Sequence, residues 1–188
     1  MVNEGASEFE QAQGQLFSED LRNLPEDLGY RGPIAAKAAG ITYRQLDYWD
    51  RTRLVEPSVR GAAGSGSSRL YSFRDVLTLK IVQRLLTTGV SLQNVRKAVE
   101  FLRARGVDEV AQVTLMSDGA TIYECHSAEE VVDLLAGGQG VFGIAVGSVW
   151  KELEGDLAHL PSEHADAEVI PEHDGDELAK RRKNRDAS

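Results

Sequence analysis

Residues 32–54 read GPIAAKAAGITYRQLDYWDRTRL, two short helical patterns joined by a glycine turn. Ala35, Ala36 and Ala39 give the first segment a face small enough for close helix approach, and Gly40 takes the left-handed conformation that ends it after two turns. Thr42 caps the second segment, with Gln45 three residues on as the other half of a capping box. Two helices across a tight turn make a helix-turn-helix, which lays its second helix in the major groove of DNA. On a helix over 42–51, Leu46 and Trp49 point inward. Arg44, Asp47, Tyr48 and Arg51 stand at i, i+3, i+4 and i+7, one outward face bordered by Tyr43 and Gln45.

Outward from this unit, Glu56-Pro57 closes the helical pattern, and residues 58–71, SVRGAAGSGSSRLY, follow. Two extended arms around a glycine- and serine-rich tip predict a β-hairpin wing. A flexible linker accounts for the glycines and serines but not for Arg60 and Arg69, one on each arm. Ser72 with Asp75 opens a third helix to about Thr87, with Val76, Leu79, Ile81, Val82, Leu85 and Leu86 apolar. Gly89 ends it, and Ser91 caps a fourth helix to about Arg105, striped by Leu92, Val95, Val99 and Leu102.

After Gly106 the pattern changes. Residues 110–116 and 120–125 read as strands joined by Ser117-Asp118-Gly119, and Ser127 with Glu130 caps a helix carrying Ala128, Val131, Val132 and Leu135. Gly137-Gly138 stops that helix, residues 141–146 suit a buried strand, and residues 149–160 carry Val149, Trp150, Leu153, Leu157 and Leu160 at helical spacing. The expected fold is α+β: a winged helix-turn-helix of four helices and a β-hairpin wing, followed by a small ββαβα unit. The expected domains are an acidic disordered arm over 1–26, the DNA-binding module over 27–105, a dimerisation or regulatory domain over 106–160, and a disordered charged tail over 161–188. A ββαβα unit of this size is too small to be stable alone. The 141–146 strand and the Trp150 helix are the expected surface for a two-fold contact with a second copy.

The residue chemistry fits nucleic acid. An arginine near the start of a groove-entering helix can fork onto guanine O6 and N7, which assigns base reading to Arg44. Tyr43 and Tyr48 offer hydroxyls to phosphates, which fix register, and Thr42 and Arg51 complete the DNA-facing set; the competing roles are solvated surface for Arg44 and Arg51 and packing in the core for Tyr48. Asp47 repels phosphate, so it either accepts from cytosine N4 or holds Arg44 or Arg51 in place, and the second is preferred. In the wing, Arg69, Tyr71 and Arg60 are candidates, with Ser65, Ser67 and Ser68 as weaker donors, and Arg74 lies in the first turn of the third helix beside the expected phosphate path.

The 188 residues carry a net charge of −9, but unevenly. Residues 27–105 hold 14 Lys and Arg against 6 Asp and Glu, and the remainder 7 against 24. DNA responds to the local field of the face it meets, so a basic module within an acidic chain is compatible with binding. Cys125 is the single cysteine, so a monomer can form no disulfide and no thiolate cluster for a metal; Cys125 reads as a small core residue. No apolar run is long enough to span a membrane, and a cytoplasmic, nucleoid-associated protein is expected. GGQGVFG in 137–143 lacks the lysine and Ser/Thr of a phosphate loop and precedes a strand rather than following one. With no nucleophile–base pair, carboxylate pair or metal cluster, no enzymatic activity and no cofactor are expected. The 180–185 run, KRRKNR, is expected to be solvated.

Residues 30 to about 102 resemble the DNA-binding domain of the MerR family of bacterial transcription regulators. The resemblance rests on Gly40-Ile41 at the turn, Leu46-Asp47-Tyr48-Trp49, Leu54, Arg69-Leu70-Tyr71 at the end of the wing, Asp75-Val76, and Gly89-Val90-Ser91-Leu92. It implies a homodimer whose second helix and wing bind a palindromic promoter in double-stranded DNA, in many members bending it for RNA polymerase. Asp47 stands where many members have arginine, and no long coiled-coil helix follows the fourth helix. Tyr43 to Trp49 combined with LLAGGQGVFGIAVG over 134–147 is similar to an actinobacterial MerR-like subgroup. An excisionase-type architectural protein is the alternative role for a similar winged fold. The sequence names no small-molecule effector.

Overall fold

The computed structural model describes residues 27–61, 69–118, 121–136 and 142–165. The expected N-terminal arm, the wing tip with Ser65, Ser67 and Ser68, the 137–141 glycine segment and residues 166–188 with the basic run lie outside them.

Strand β1 (Leu28–Arg31) leads directly into α1 (Gly32–Ala39), with Pro33 in its first turn, where a missing N–H costs nothing. Gly40 ends α1 at φ 72°, and the Ile41 N–H closes the turn on the Ala36 carbonyl at 2.9 Å. Helix α2 (Tyr43–Arg51) starts on the expected Thr42–Gln45 capping box and buries Leu46 and Trp49. Its last carbonyls are closed by Arg53 and Leu54, with Arg53 in the left-handed region at φ 56°. The wing returns along β2 (Leu70–Tyr71), which pairs antiparallel with β1, while Arg60 on the first arm bridges Leu70 from the other side. Helix α3 (Phe73–Thr87) opens on the Ser72–Asp75 capping box, and α4 (Leu92–Ala104) on Ser91.

The C-terminal half departs from expectation at its start. Residues 107–111 form a short helix, α5 (Val107–Ala111), where a strand was expected from Val110. Five residues, VDEVA, are too short to separate helix from strand by period, and here Val110 turns inward from a helix, 3% exposed. Strands β3 (Thr114–Ser117), β4 (Ile122–Cys125) and β5 (Phe142–Ala145) make an antiparallel sheet in the order β4-β3-β5. Ser117 belongs to the strand rather than the turn, where the Asp118 carboxylate accepts from the Thr121 N–H. Helix α6 (Ala128–Ala136) lies beside β4 with no fully buried residue. Helix α7 (Val146–Leu157) follows β5 without a loop. A last strand, β6 (Glu163–His164), pairs with the free edge of β1, giving a second sheet ordered β2-β1-β6.

The two halves share one hydrophobic core running from Tyr30 and Leu46 through α3 to Leu115, Ile144, Val149, Trp150 and Leu157. Helix α3 is its axis: Phe73, Val76, Leu77, Leu79, Ile81, Val82 and Leu85 are all buried, on more than one face. Trp150 stacks at a tilt on Phe73, ring centroids 4.6 Å apart, and is 8% exposed. Its inward role corrects the expectation that the Trp150 helix forms the contact with a second copy: that surface is spent within the chain. The joint also has an ionic rim. Lys80, 7% exposed, meets Glu152 at 3.0 Å and Asp156 at 2.9 Å, and Arg84 also pairs with Glu152.

Because the core is continuous, removing its largest C-terminal side chain disturbs both halves. Trp150→Ala is expected to destabilise the chain by about 3–5 kcal/mol, and the DNA-binding module and the α7 unit are expected to unfold together in one denaturant transition. Two separated transitions, with the first confined to residues beyond 106, contradict the shared core.

Candidate nucleic-acid interface

The outward face of α2 forms as its spacing predicts. Leu46 and Trp49 pin the helix to the core at 0% and 5% exposure, so the opposite side projects. Tyr43 and Tyr48 are 55% and 53% exposed, which settles Tyr48 on the surface rather than in the core. Thr42, Arg44, Gln45 and Arg51 are exposed as well. Arg44 has no ion-pair partner among the described residues.

Asp47 is the organising acid of this face. Its carboxylate accepts from Arg51 at 2.8 Å, one turn along the same helix, and from Arg69 at 2.9 Å, at the root of the wing. Of the two arginines proposed from sequence it holds Arg51 and not Arg44, and Arg69 is a partner that sequence spacing did not reveal. The hydrogen bond from Arg69 is the largest influence holding the Asp47 carboxyl below its ordinary value, with the charges of Arg51 and Arg69 adding to it. Asp50, one further residue that sequence reading passed over, meets Arg69 Nε at 3.0 Å. Its carboxyl is shifted the other way, because burial outweighs the attraction of Arg69. Arg69, only 18% exposed, therefore braces the wing against α2 through two carboxylates.

Three further candidates occupy different positions from those expected. Tyr71 is 0% exposed and pairs across the ladder with Tyr30, facing the core, so it offers no surface to a phosphate. Burial pushes its phenol up to about 12, against a smaller opposing effect of Arg69. The Tyr71 hydroxyl and Arg69 Nη1 are both buried and face each other, close enough for Arg69 to act on the phenol though short of full hydrogen-bond geometry among the described residues. Arg74 turns away from the α2 face: its Nη2 donates to the carbonyls of Leu102, Arg103 and Arg105, the unsatisfied C-terminal end of α4. Arg60 Nη1 donates to the Ala165 carbonyl at 3.1 Å, and its Nη2 lies 4.0 Å from Glu163 on β6. Arg31, also absent from the expected set, pairs with the same Glu163 carboxylate. Nothing in the sequence marks Arg31, because β6 lies more than a hundred residues away.

Elsewhere, Cys125 is buried and its thiol is raised by desolvation, consistent with a core residue. Among the described residues, no group of three or more His, Cys, Asp or Glu is placed to hold a metal, and no helix is long and apolar enough to cross a membrane.

This arrangement is a cationic, hydroxyl-bearing helix face presented by a winged scaffold. The family profile described as MerR HTH family regulatory protein matches residues 30–102. An uncharacterized HTH-type transcriptional regulator of Mycobacterium tuberculosis (strain H37Rv) is 62% identical over 172 residues, covering 91% of this chain and 76% of that protein. A counterpart in Mycobacterium bovis matches to the same extent. A heavy metal-dependent transcription regulator of Rhizobium meliloti is 28% identical over 71 residues, 38% of this chain and 46% of its own. With the winged helix-turn-helix in place and relatives matched along nearly its whole length, the chain belongs to the MerR family of helix-turn-helix transcriptional regulators.

Proposed function

We propose that this chain regulates transcription by binding a palindromic promoter site as a homodimer, with α2 in the major groove and the wing on the flanking backbone. Arg44 reads base edges. Thr42, Tyr43, Tyr48 and Arg51 engage phosphates and fix the helix in register. Arg69 and Arg60 act at the root of the wing, Arg69 by holding it against α2. RNA polymerase is the partner at such a promoter. The observation that carries this is Arg44, exposed and without an ion-pair partner among the described residues, near the start of a helix whose opposite face is anchored in the core.

Genomic footprinting of the bound chain, combined with transcription measured at the occupied sites, tests the role directly. Occupancy at promoters with altered transcription is expected; occupancy confined to recombination attachment sites supports an excisionase-type architectural role instead. On a selected operator, Arg44→Ala is expected to cost about 1–3 kcal/mol of discrimination between the preferred base and its replacements, while binding to unrelated duplex changes little. Equal preference in wild type and variant removes Arg44 from base reading.

Asp47→Ala separates positioning from contact. Removing this acid takes a negative charge off the DNA face but releases the wing from α2. The ratio of operator to random-duplex affinity is therefore expected to fall about tenfold, with random-duplex affinity unchanged or higher; an unchanged ratio contradicts the bracing role.

Tyr71→Phe distinguishes a core residue from a DNA contact. It removes a buried hydroxyl whose contact with Arg69 is at best weak, so stability at neutral pH is expected to change by no more than about 1 kcal/mol, with operator affinity unchanged. The phenol is neutral in the fold to about pH 12 and ionises near pH 10 when unfolded. Its contribution is thus intact below pH 10 and lost as pH rises towards 12. The alkaline decline, followed by denaturation at pH 9 to 12, is expected to be shallower in Tyr71→Phe.

A further inference from the structure

The outer face of the wing sheet carries a charge pattern that α2 does not explain. Residues directly opposite in an antiparallel ladder point to the same side, as do residues two apart on one strand. Arg31 on β1 pairs with Leu70 on β2, and Leu70 bridges Arg60 on the first arm. Arg31, Leu70 and Arg60 therefore form a row across the sheet, on the side opposite the core-facing Tyr30 and Tyr71. Gly29 lies on the same side as this row. Its bare Cα matters, since a Cβ there would stand 2.9 Å from Leu70 Cβ and 3.2 Å from Val59 Cβ. The register sets Glu163 opposite Gly29, diagonal to Arg31. From there one carboxylate spans both arginines: Oε1 pairs with Arg31 Nε, and Oε2 lies 4.0 Å from Arg60 Nη2.

Strand β6 is held by more than this carboxylate. The Ala165 N–H donates to the Asp27 carbonyl at 2.8 Å, Arg60 Nη1 donates to the Ala165 carbonyl at 3.1 Å, and His164 Nδ1 lies 2.7 Å from an Asp27 carboxylate oxygen. The strand is nevertheless only two residues long, on an exposed edge. Arg31 Nε meets the Glu163 carboxylate as an ion pair without hydrogen-bond geometry and Arg60 flanks it at 4.0 Å, so two guanidinium groups lie about one oxyanion, a position whose charge a phosphate also matches.

We propose that Arg31 and Arg60 form a second backbone-phosphate site, which β6 occupies in the free chain with Glu163 standing in for the phosphate. The C-terminal strand is then a self-inhibitory strap: a duplex seated on α2 and the wing competes with Glu163 for the pair, and displacing β6 adds these contacts. The strap rests on the DNA-binding role given above. It weakens random-duplex binding, where few other contacts compensate, more than operator binding.

The test uses the full chain and two fluorescently labelled 30-bp duplexes, one of random sequence and one carrying the operator selected from genomic fragments, titrated from low to physiological salt. Glu163→Gln removes the charge from the strap. Ala165→Pro removes the backbone donor to Asp27 and leaves the strand's acids in place. Glu129→Gln on α6 makes the same charge change far from the arginines. Circular dichroism confirms that each variant is folded. Both strap variants are expected to bind random duplex about fivefold more tightly at low salt, with a salt slope steeper by about 1–2 from the added phosphate contacts. Glu129→Gln is expected to match wild type, and adding Arg31→Ala and Arg60→Ala to Glu163→Gln is expected to cancel the gain. If wild type binds and neither strap variant differs in affinity or slope, the strap is overturned and the DNA-binding role stands. If no variant and no wild-type chain binds either duplex at low salt, the DNA-binding role falls and takes the strap with it.

Discussion

The molecule is organised around a lysine that cannot stay buried alone. Lys80 sits on α3, a helix enclosed on more than one face, and its ammonium reaches the core margin only 7% exposed. A lysine this enclosed needs acidic partners at the margin of the core, although with carboxylates about half exposed to solvent each pair is screened and contributes modestly. Glu152 and Asp156, one turn apart on α7, provide the pairing at 3.0 and 2.9 Å. With Trp150 stacked on Phe73 beside them, this requirement fixes α7 across α3. The short α5 helix and the β4-β3-β5 sheet are carried with α7, through Val110, Leu115 and Ile144 in the common core. The C-terminal unit is thereby part of the scaffold that holds the winged module.

A second constraint acts at the DNA-facing surface. A helix that meets phosphate benefits from cations, yet α2 carries two acids, Asp47 and Asp50. Both spend their charge on Arg69. In exchange for a less positive face, the wing gains a fixed position relative to the helix. At Asp50 the loss of solvent outweighs the arginine alongside, and its carboxyl is raised. Arg44 stays outside the network, so on α2 the reading of bases and the bracing of the wing fall to different arginines.

The winged half was largely legible from local signals. Thr42 with Gln45 and Ser72 with Asp75 both form the capping boxes their spacing suggests, and Gly40 takes the left-handed conformation. Such signals act over three or four residues, where sequence spacing and spatial spacing coincide. The α5 helix was missed because five residues are too few to show a period. The pairs β1–β2 and β1–β6 were missed because strands of two to four residues carry little pattern, and their partners lie far along the chain. The dense apolar sequence of α3, with Leu77 beside Val76 and Val82 beside Ile81, did carry a signal that more than one side is covered, although not by what.

Among the site residues, those on α2 were readable because one helix fixes their relative directions. Those on the wing and beyond were not, because an arginine's role depends on which carboxylate or carbonyl faces it. By itself, the sequence determined the helix-turn-helix, the outward face of Thr42, Tyr43, Arg44 and Arg51, and the basic character of residues 27–105, while Tyr48 was left between surface and core. Only the tertiary structure decided that Tyr71 faces the core, that Arg74 caps α4, that Arg69 is shared by Asp47 and Asp50, and that Arg31 and Arg60 meet Glu163. The physical reason is range: helical periodicity and capping are fixed by neighbours in the chain, whereas ion pairs and burial are settled by residues that folding brings together from up to 137 positions away, as with His164 and Asp27.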